Sequence, residues 1–244
     1  MRLETLFPFQ LREAIEKRWP LVIPAGTIEY HGEHLGFGTD TLVVTRILEL
    51  LEKEKDMILA PPIYYGPSSY AVAGPEQGTI HVDVDNFEHY VRDVLWGMLL
   101  TGFRNIYVVI HHQYENGIEL PEALCFIKSA RQLIFRFLEE KHGRGWWGRP
   151  ENARFYETLD KADNPWNWIK VIPLMAPEVQ QATGYDHAGQ YETSLMIATC
   201  PEGAAMNQLK EGQPWFVQMA RHASQELGQR MVQLILDQLR KVIV

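Results

Sequence analysis

Four short apolar runs alternate with amphipathic stretches along this chain, and that alternation constrains the fold more than any other feature. WPLVIPAGTIE from Trp19, MILAPPIYYG from Met57, Asn105 to Ile110 and Lys170 to Met175 each read as a strand. Thr41 to Lys55 reads as a helix with Leu42, Val43, Ile47, Leu50 and Leu51 on one face. A second helix is expected to be capped by Asn86 and to end at Gly102; Pro121 to Lys141 and Trp215 to Val244 read as two more. Strands separated by helices predict an α/β fold, a three-layer α/β/α sandwich around a mostly parallel sheet. The 244 residues suit one domain spanning 1–244. The one compositional shift is Gly143 to Trp168, which holds four of the seven tryptophans. It reads equally as a packed surface insertion or as a wall over a pocket.

Charge and apolar patterning exclude several classes of partner. Lys plus Arg is 23 against 31 Asp plus Glu, a net charge of −8, so no basic stripe is available for nucleic acid. The basic residues are scattered, with no run suited to an anionic membrane surface. The longest apolar runs are strand-sized, well short of the roughly 20 residues of a membrane helix, and MRLETLFPFQ lacks the apolar region of a signal peptide. Cys125 and Cys200 form no CxxC pair and are expected to be buried thiols in a reducing compartment. These features predict a soluble cytoplasmic protein.

In open α/β sheets the ligand site lies beyond the carboxyl ends of the strands, and the residues there are unusual. After the first strand, PAGTIEYHGEHLGFGTD places Glu29 and His31 two apart, so in extended backbone both leave the same face. A carboxylate and an imidazole converging this way are ordinary ligands for zinc or manganese. Asp40 suits either metal binding or the N-cap of the following helix. After the third strand come His111, His112, Gln113, Tyr114 and Glu115, and buried histidine or glutamate at a strand end must be paired, neutral or metal-bound. Further on, GYDHAGQYETS carries His187, Gln190 and Glu192; Glu192 reads as a catalytic or a core-edge carboxylate. Glu29, Asp40 and Glu115 would bring the charge of two divalent ions to about +1, and such ions lower the pKa of a shared water to near 7. His187, with an ordinary pKa near 6.5, suits proton transfer to the leaving group.

Three segments together resemble the creatininase (creatinine amidohydrolase) family. PAGTIEYHGEHLGFGTD is similar to its P-V-G-S-x-E-x-H-G-x-H-L-P-x-x-T-D signature. PPIYYGPSS with GPEQGTIHV resembles its P-x-x-Y-G-x-S and P-G-T-I segments, and DHAGQYETSLM its H-A-G-x-x-E-T-S segment. The resemblance implies a creatininase-like layered fold, usually homo-hexameric, with two divalent ions (zinc or manganese, with iron also accommodated) and a small-molecule substrate. It implies one metal held by Glu29, Asp40 and His112 and a second by His31, the shared Asp40 and a further carboxylate. His187 and Glu192 fall on positions for proton transfer and substrate binding. The family's N-G-H-G-G-N or N-G-H-Y-E-N is here IHHQYEN, with one residue inserted after the histidine, and Gln190 replaces a glutamate that ligates in many relatives. Glu115 is then the candidate for the missing carboxylate, with Gln190 able to bind through its carbonyl oxygen. Tyr114, Trp166 and Trp168 are candidate substrate contacts. Thr183 stands where creatininase covers its substrate with a tryptophan, which points away from creatinine itself. The implied activity is C–N hydrolysis of a small cyclic or linear amide. The alternatives are C–C hydrolysis of an inositol-derived cyclic diketone and a non-catalytic metal-binding relative.

Overall fold

In the computed structural model, which describes residues 1–112, 114–115 and 118–244 with the backbone alone at 115, the alternation becomes a layered sheet. Strands β1 (Leu21–Ala25), β2 (Ile58–Leu59), β3 (Ile106–Ile110) and β6 (Ile169–Pro173) form one sheet in the order β2-β1-β3-β6. Every neighbouring pair in it is parallel, with Leu21 opposite Ile106 and Ile106 opposite Ile169. A small hairpin, β4 (Tyr114–Glu115) and β5 (Ile118–Glu119), stands apart from it.

Side chains alternate across the sheet, and both faces are dry. Leu21, Ile23, Ala25, Ile106, Val108 and Ile110 share one core with α1 (Pro8–Glu16), α3 (Val84–Thr101) and α4 (Pro121–His142). Val22, Tyr107 and Val109 share the other with α2 (Thr39–Glu52), α6 (Gln190–Thr199) and α7 (Gln225–Val242). Each buried Leu, Ile or Phe contributes roughly 1.5–3 kcal/mol, which explains why the strands read as continuous apolar runs. A short helix, α5 (Pro177–Thr183), follows β6.

Several element boundaries differ from the sequence expectation. Asp83, not Asn86, caps α3: its Oδ1 accepts the N–H groups of Asp85 and Asn86 at 3.0 and 3.1 Å. The expected C-terminal helix is two elements, because Ser224 interrupts it and caps α7 by accepting from the Leu227 N–H at 3.1 Å. The stretch before it, Trp215–His222, is a 3-10 helix. Residues 143–168 form short 3-10 turns, and their Trp146, Trp166 and Trp168 pack into the core shared with α3 and α4. Both cysteines are buried free thiols. Among the described residues no helix is long and apolar enough to cross a membrane.

Candidate metal centre

Loops leaving β1 and β3 at their carboxyl ends, the first turn of α2 and the first turn of α6 meet at one point. Gly26 is what lets the β1 loop press onto α2: a Cβ there would lie 2.7 Å from the Thr41 nitrogen and 2.8 Å from Asp40 Cβ. Asp40 is not a cap, since Gly38 holds that position. Its carboxylate instead turns inward, where Oδ2 accepts from Thr27 Oγ1 at 3.1 Å and lies 3.1 Å from His112 Nδ1. Its Oδ1 lies 3.5 Å from His31 Nε2.

Two donor triads result, each with its ligand atoms within 4.8 Å of one another: Glu29, Asp40 and His112, and His31, Asp40 and Glu192. Asp40 belongs to both. His112 Nδ1 lies 3.3 Å from Glu29 Oε2, and His31 Nε2 lies 3.5 Å from Glu192 Oε2. A third grouping joins Glu29, His31 and His187. His187 donates through Nε2 to the Tyr30 carbonyl at 3.0 Å, which leaves Nδ1 as its basic nitrogen, and its ring lies tilted by 35° with its centre 4.3 Å from that of His31.

The donor chemistry fits cations. Glu29, Asp40 and Glu192 are buried, and their ion-pair partners among the described residues are all histidines. Burial alone lowers His31, but Glu192, Asp40 and Glu29 outweigh it and hold the ring at about 10. Burial likewise opposes protonation of His112, and Asp40 with Glu29 overcomes it. Against the same burial, His31 and His112 hold Asp40 well below the ordinary carboxylate value, and His31 with His111 holds Glu192 down at about 2. Protons on two imidazoles thus occupy the place of positive charge among three carboxylates. His31 already points Nδ1–H at the Glu29 carbonyl, 3.0 Å away, so the buried Nε2, with no hydrogen-bond partner among the described residues, is the nitrogen at which a cation would replace the proton. Directing one nitrogen to a backbone carbonyl and the other inward is the usual arrangement of a metal-binding histidine.

The site opens into a pocket of about 130 Å³. Tyr114, Tyr185, Tyr191, Asp186 and Gln180 line it beside Met175, Met231 and Leu195. Asp186 also braces α6, accepting the backbone N–H groups of Tyr191 and Glu192 at 3.0 Å each. Tyr114 therefore stands where a substrate contact was expected.

Three other expected contacts do not. Gln190 lines a neighbouring cavity with Thr183, Tyr191 and Arg230, because residues two apart on a helix project to opposite sides and Glu192 takes the inward one. Trp166 and Trp168 belong to the core beside α4. Trp166 packs edge-on to Phe135 at 5.0 Å and Trp168 edge-on to Phe137 at 5.1 Å, so neither walls the pocket. The side chain of Glu115 lies outside the described residues. Among the described residues Glu192 is the carboxylate that meets His31 and Asp40. Sequence reasoning gave no role to His111, 3.3 Å from Glu192, or to buried His34, whose Nε2 lies 2.9 Å from Thr193 Oγ1. The signal for His111 was visible, a second imidazole directly after a buried strand.

Comparison with known proteins agrees with this fold. The family described as Creatininase: creatinine amidohydrolase matches residues 6–232. The 3-dehydro-scyllo-inosose hydrolase of Thermotoga maritima is 33% identical over 112 residues, 46% of this chain and only 36% of that protein's length. The creatinine amidohydrolase of Pseudomonas putida is 22% identical over 200 residues, 80% of this chain and 69% of that one. A solved structure described as Creatininase Mn superposes with a TM-score of 0.73 at 18% identity, covering 99% of this chain and 98% of the other. A creatininase mutant of Zn–Zn type gives 0.72 at 16% identity, covering the same shares of the two chains. Fold, motif order and the span of the match lead to one statement: this chain belongs to the creatininase family of hydrolases.

Proposed function

We propose that the chain is a two-metal hydrolase that cleaves a C–N bond of a small cyclic or linear amide. The observation that supports this best is the pair of donor triads sharing Asp40 at the floor of a small pocket. Divalent ions held there by Glu29, His31, Asp40, His112 and Glu192 would supply a nucleophilic water at neutral pH and Lewis-acid polarisation of a carbonyl. The protein's own contribution is positional. Asp40, fixed by Thr27, keeps the two triads together, and the apolar wall of Met175, Leu195 and Met231 limits water around a small substrate. His187, oriented by the Tyr30 carbonyl, presents Nδ1 for carrying a proton to the departing nitrogen. Zinc and manganese both suit this mixed N/O donor set, and iron is also accommodated. Copies of the chain are proposed to associate as a homo-oligomer, a hexamer by family resemblance.

A second reading keeps the same site and changes the bond: hydrolysis of a C–C bond next to a ketone in an inositol-derived ring. It draws support from the three tyrosines lining the pocket, which suit a hydroxylated substrate, and from the segment 33% identical to the inosose hydrolase. One experiment separates the two. Purified protein, with its metal content measured, is assayed against creatinine, hydantoins and formamides on one side and cyclic diketones on the other. Turnover confined to amides upholds the first reading; turnover confined to diketones replaces it with the second. Fewer than two ions per chain in active protein would overturn the two-metal form of both.

A further inference from the structure

His111 has no place in either donor triad, yet its ring approaches the outer oxygen of Glu192. Its Nε2 stands 3.3 Å from Glu192 Oε1, nearly buried at the pocket wall, without the alignment of a formed hydrogen bond. The two oxygens of Glu192 have different surroundings. Oε2 accepts the Ala188 N–H at 2.6 Å and faces His31 Nε2 at 3.5 Å, while Oε1 meets only His111 among the ion pairs of the described residues. A carboxylate with one oxygen at a cation and the other held by a donor is fixed in rotation as well as in place, and such outer donors typically change metal affinity 10–100-fold. Three of Glu192's neighbours, His31, His111 and Ala188, come from three separate loops.

We infer that His111 is a positioning residue: its Nε2–H holds Glu192 Oε1 so that Oε2 stays directed at the triad formed with His31 and Asp40. This rests on the reading of Glu192 as a ligand of the second ion. The family pattern quoted above has glycine just before the metal-binding histidine, so the donor is a feature of this chain, set beside its altered loop.

The test measures zinc affinity at each site by chelator competition, with zinc content by elemental analysis, in the full-length protein. Four proteins are compared: the parent, His111→Phe, His111→Gln and Glu192→Gln. Phenylalanine fills the space without a donor, and glutamine restores an N–H. The expected result is a weaker-bound ion whose affinity falls about 10–100-fold in His111→Phe and returns to within about threefold in His111→Gln, with the tighter ion unchanged. If His111→Phe binds both ions as the parent does while Glu192→Gln loses one, the positioning role is wrong and the ligand role of Glu192 stands. If Glu192→Gln keeps both ions, the ligand reading fails and this inference fails with it. Loss of an ion in both His111 variants alike would make His111 a ligand itself and overturn the positioning role.

Discussion

Nε2 of His31 lies 3.5 Å from Oδ1 of Asp40 inside the protein, and the other nitrogen of the ring is already committed to the Glu29 carbonyl. A cation bound between these residues must displace the proton that Asp40, Glu192 and Glu29 hold on His31 up to about pH 10. His112, also raised, must lose its proton to ligate through Nδ1. Filling both sites at pH 7 is therefore expected to release about two protons per chain. Calorimetric titration with zinc in buffers of different ionisation enthalpy counts them. The sign follows: apparent affinity rises with pH up to about 10, because proton and metal compete for the same nitrogen. A release near zero would mean that neither imidazole ligates.

Substitution of His187 separates proton transfer from metal binding. Its Nε2 is bonded to the Tyr30 carbonyl, so His187→Gln is expected to lower kcat by about 10²–10⁴ and leave two ions in place. Loss of an ion in this variant would instead support the grouping of His187 with Glu29 and His31. Elemental analysis and kcat on the same sample decide between them.

Glu122 makes a prediction about stability rather than catalysis. It is fully buried in the first turn of α4, with no hydrogen-bond partner on either oxygen among the described residues, and burial pushes its pKa up to about 8. The native state thus favours the protonated acid, while the unfolded chain releases the proton near pH 4.5. Stability from this group is complete below pH 4.5 and is lost as pH rises to about 8. Glu122→Gln removes the titration. Chelator-treated variant and parent should differ by on the order of 3 kcal/mol more at pH 9 than at pH 5, read as a widening Tm gap in favour of the variant. A constant gap would mean that Glu122 has found a partner.

Gly228 links helix packing to the site. A Cβ at this position of α7 would fall inside the van der Waals envelope of the Ser194 carbonyl oxygen on α6, two residues beyond Glu192. Neither atom belongs to a flexible side chain, so Gly228→Ala must move one backbone against the other. A cost of about 1–3 kcal/mol is expected, with zinc at the Glu192 site weakened more than zinc at the His112 site. Thermal unfolding and the chelator titration report the two effects separately. An unchanged Tm would show that α7 can shift without cost.

Much of this was legible in the chain. Leu21 to Ala25 and Asn105 to Ile110 read as buried strands because a sheet covered on both faces needs apolar residues on both. His112 was legible because a polar donor directly after such a strand has no packing reason to be there; Glu29, His31 and Asp40 each allowed a loop or capping role alone and became legible through the motif that joins them. Boundaries were less so: Asp83 and Asn86 are both good caps, and only the entry of the chain into α3 selects the first. Glu192 read equally as catalytic or as a core-edge carboxylate, since the approach of α6 to the β1 loop spans more than 150 residues of sequence. The tryptophans of 143–168 misled for a physical reason. Large aromatic side chains line pockets and fill cores by the same burial, and nothing local distinguishes Trp168 in a wall from Trp168 under Arg104, whose guanidinium lies 4.6 Å from its ring.

Asp40 and His112 are 72 residues apart in sequence, and Glu192 lies a further 80 beyond His112. Two ions sharing Asp40 would therefore form a clip that ties the start of α2, the end of β3 and the start of α6 to one another. Because the unfolded chain brings such distant residues together only rarely, the binding energy of each ion adds to global stability as RT ln(1 + [M]/Kd), about 4 kcal/mol at a thousand times Kd. Metal supply would then govern how long the folded molecule survives as well as how fast it turns over.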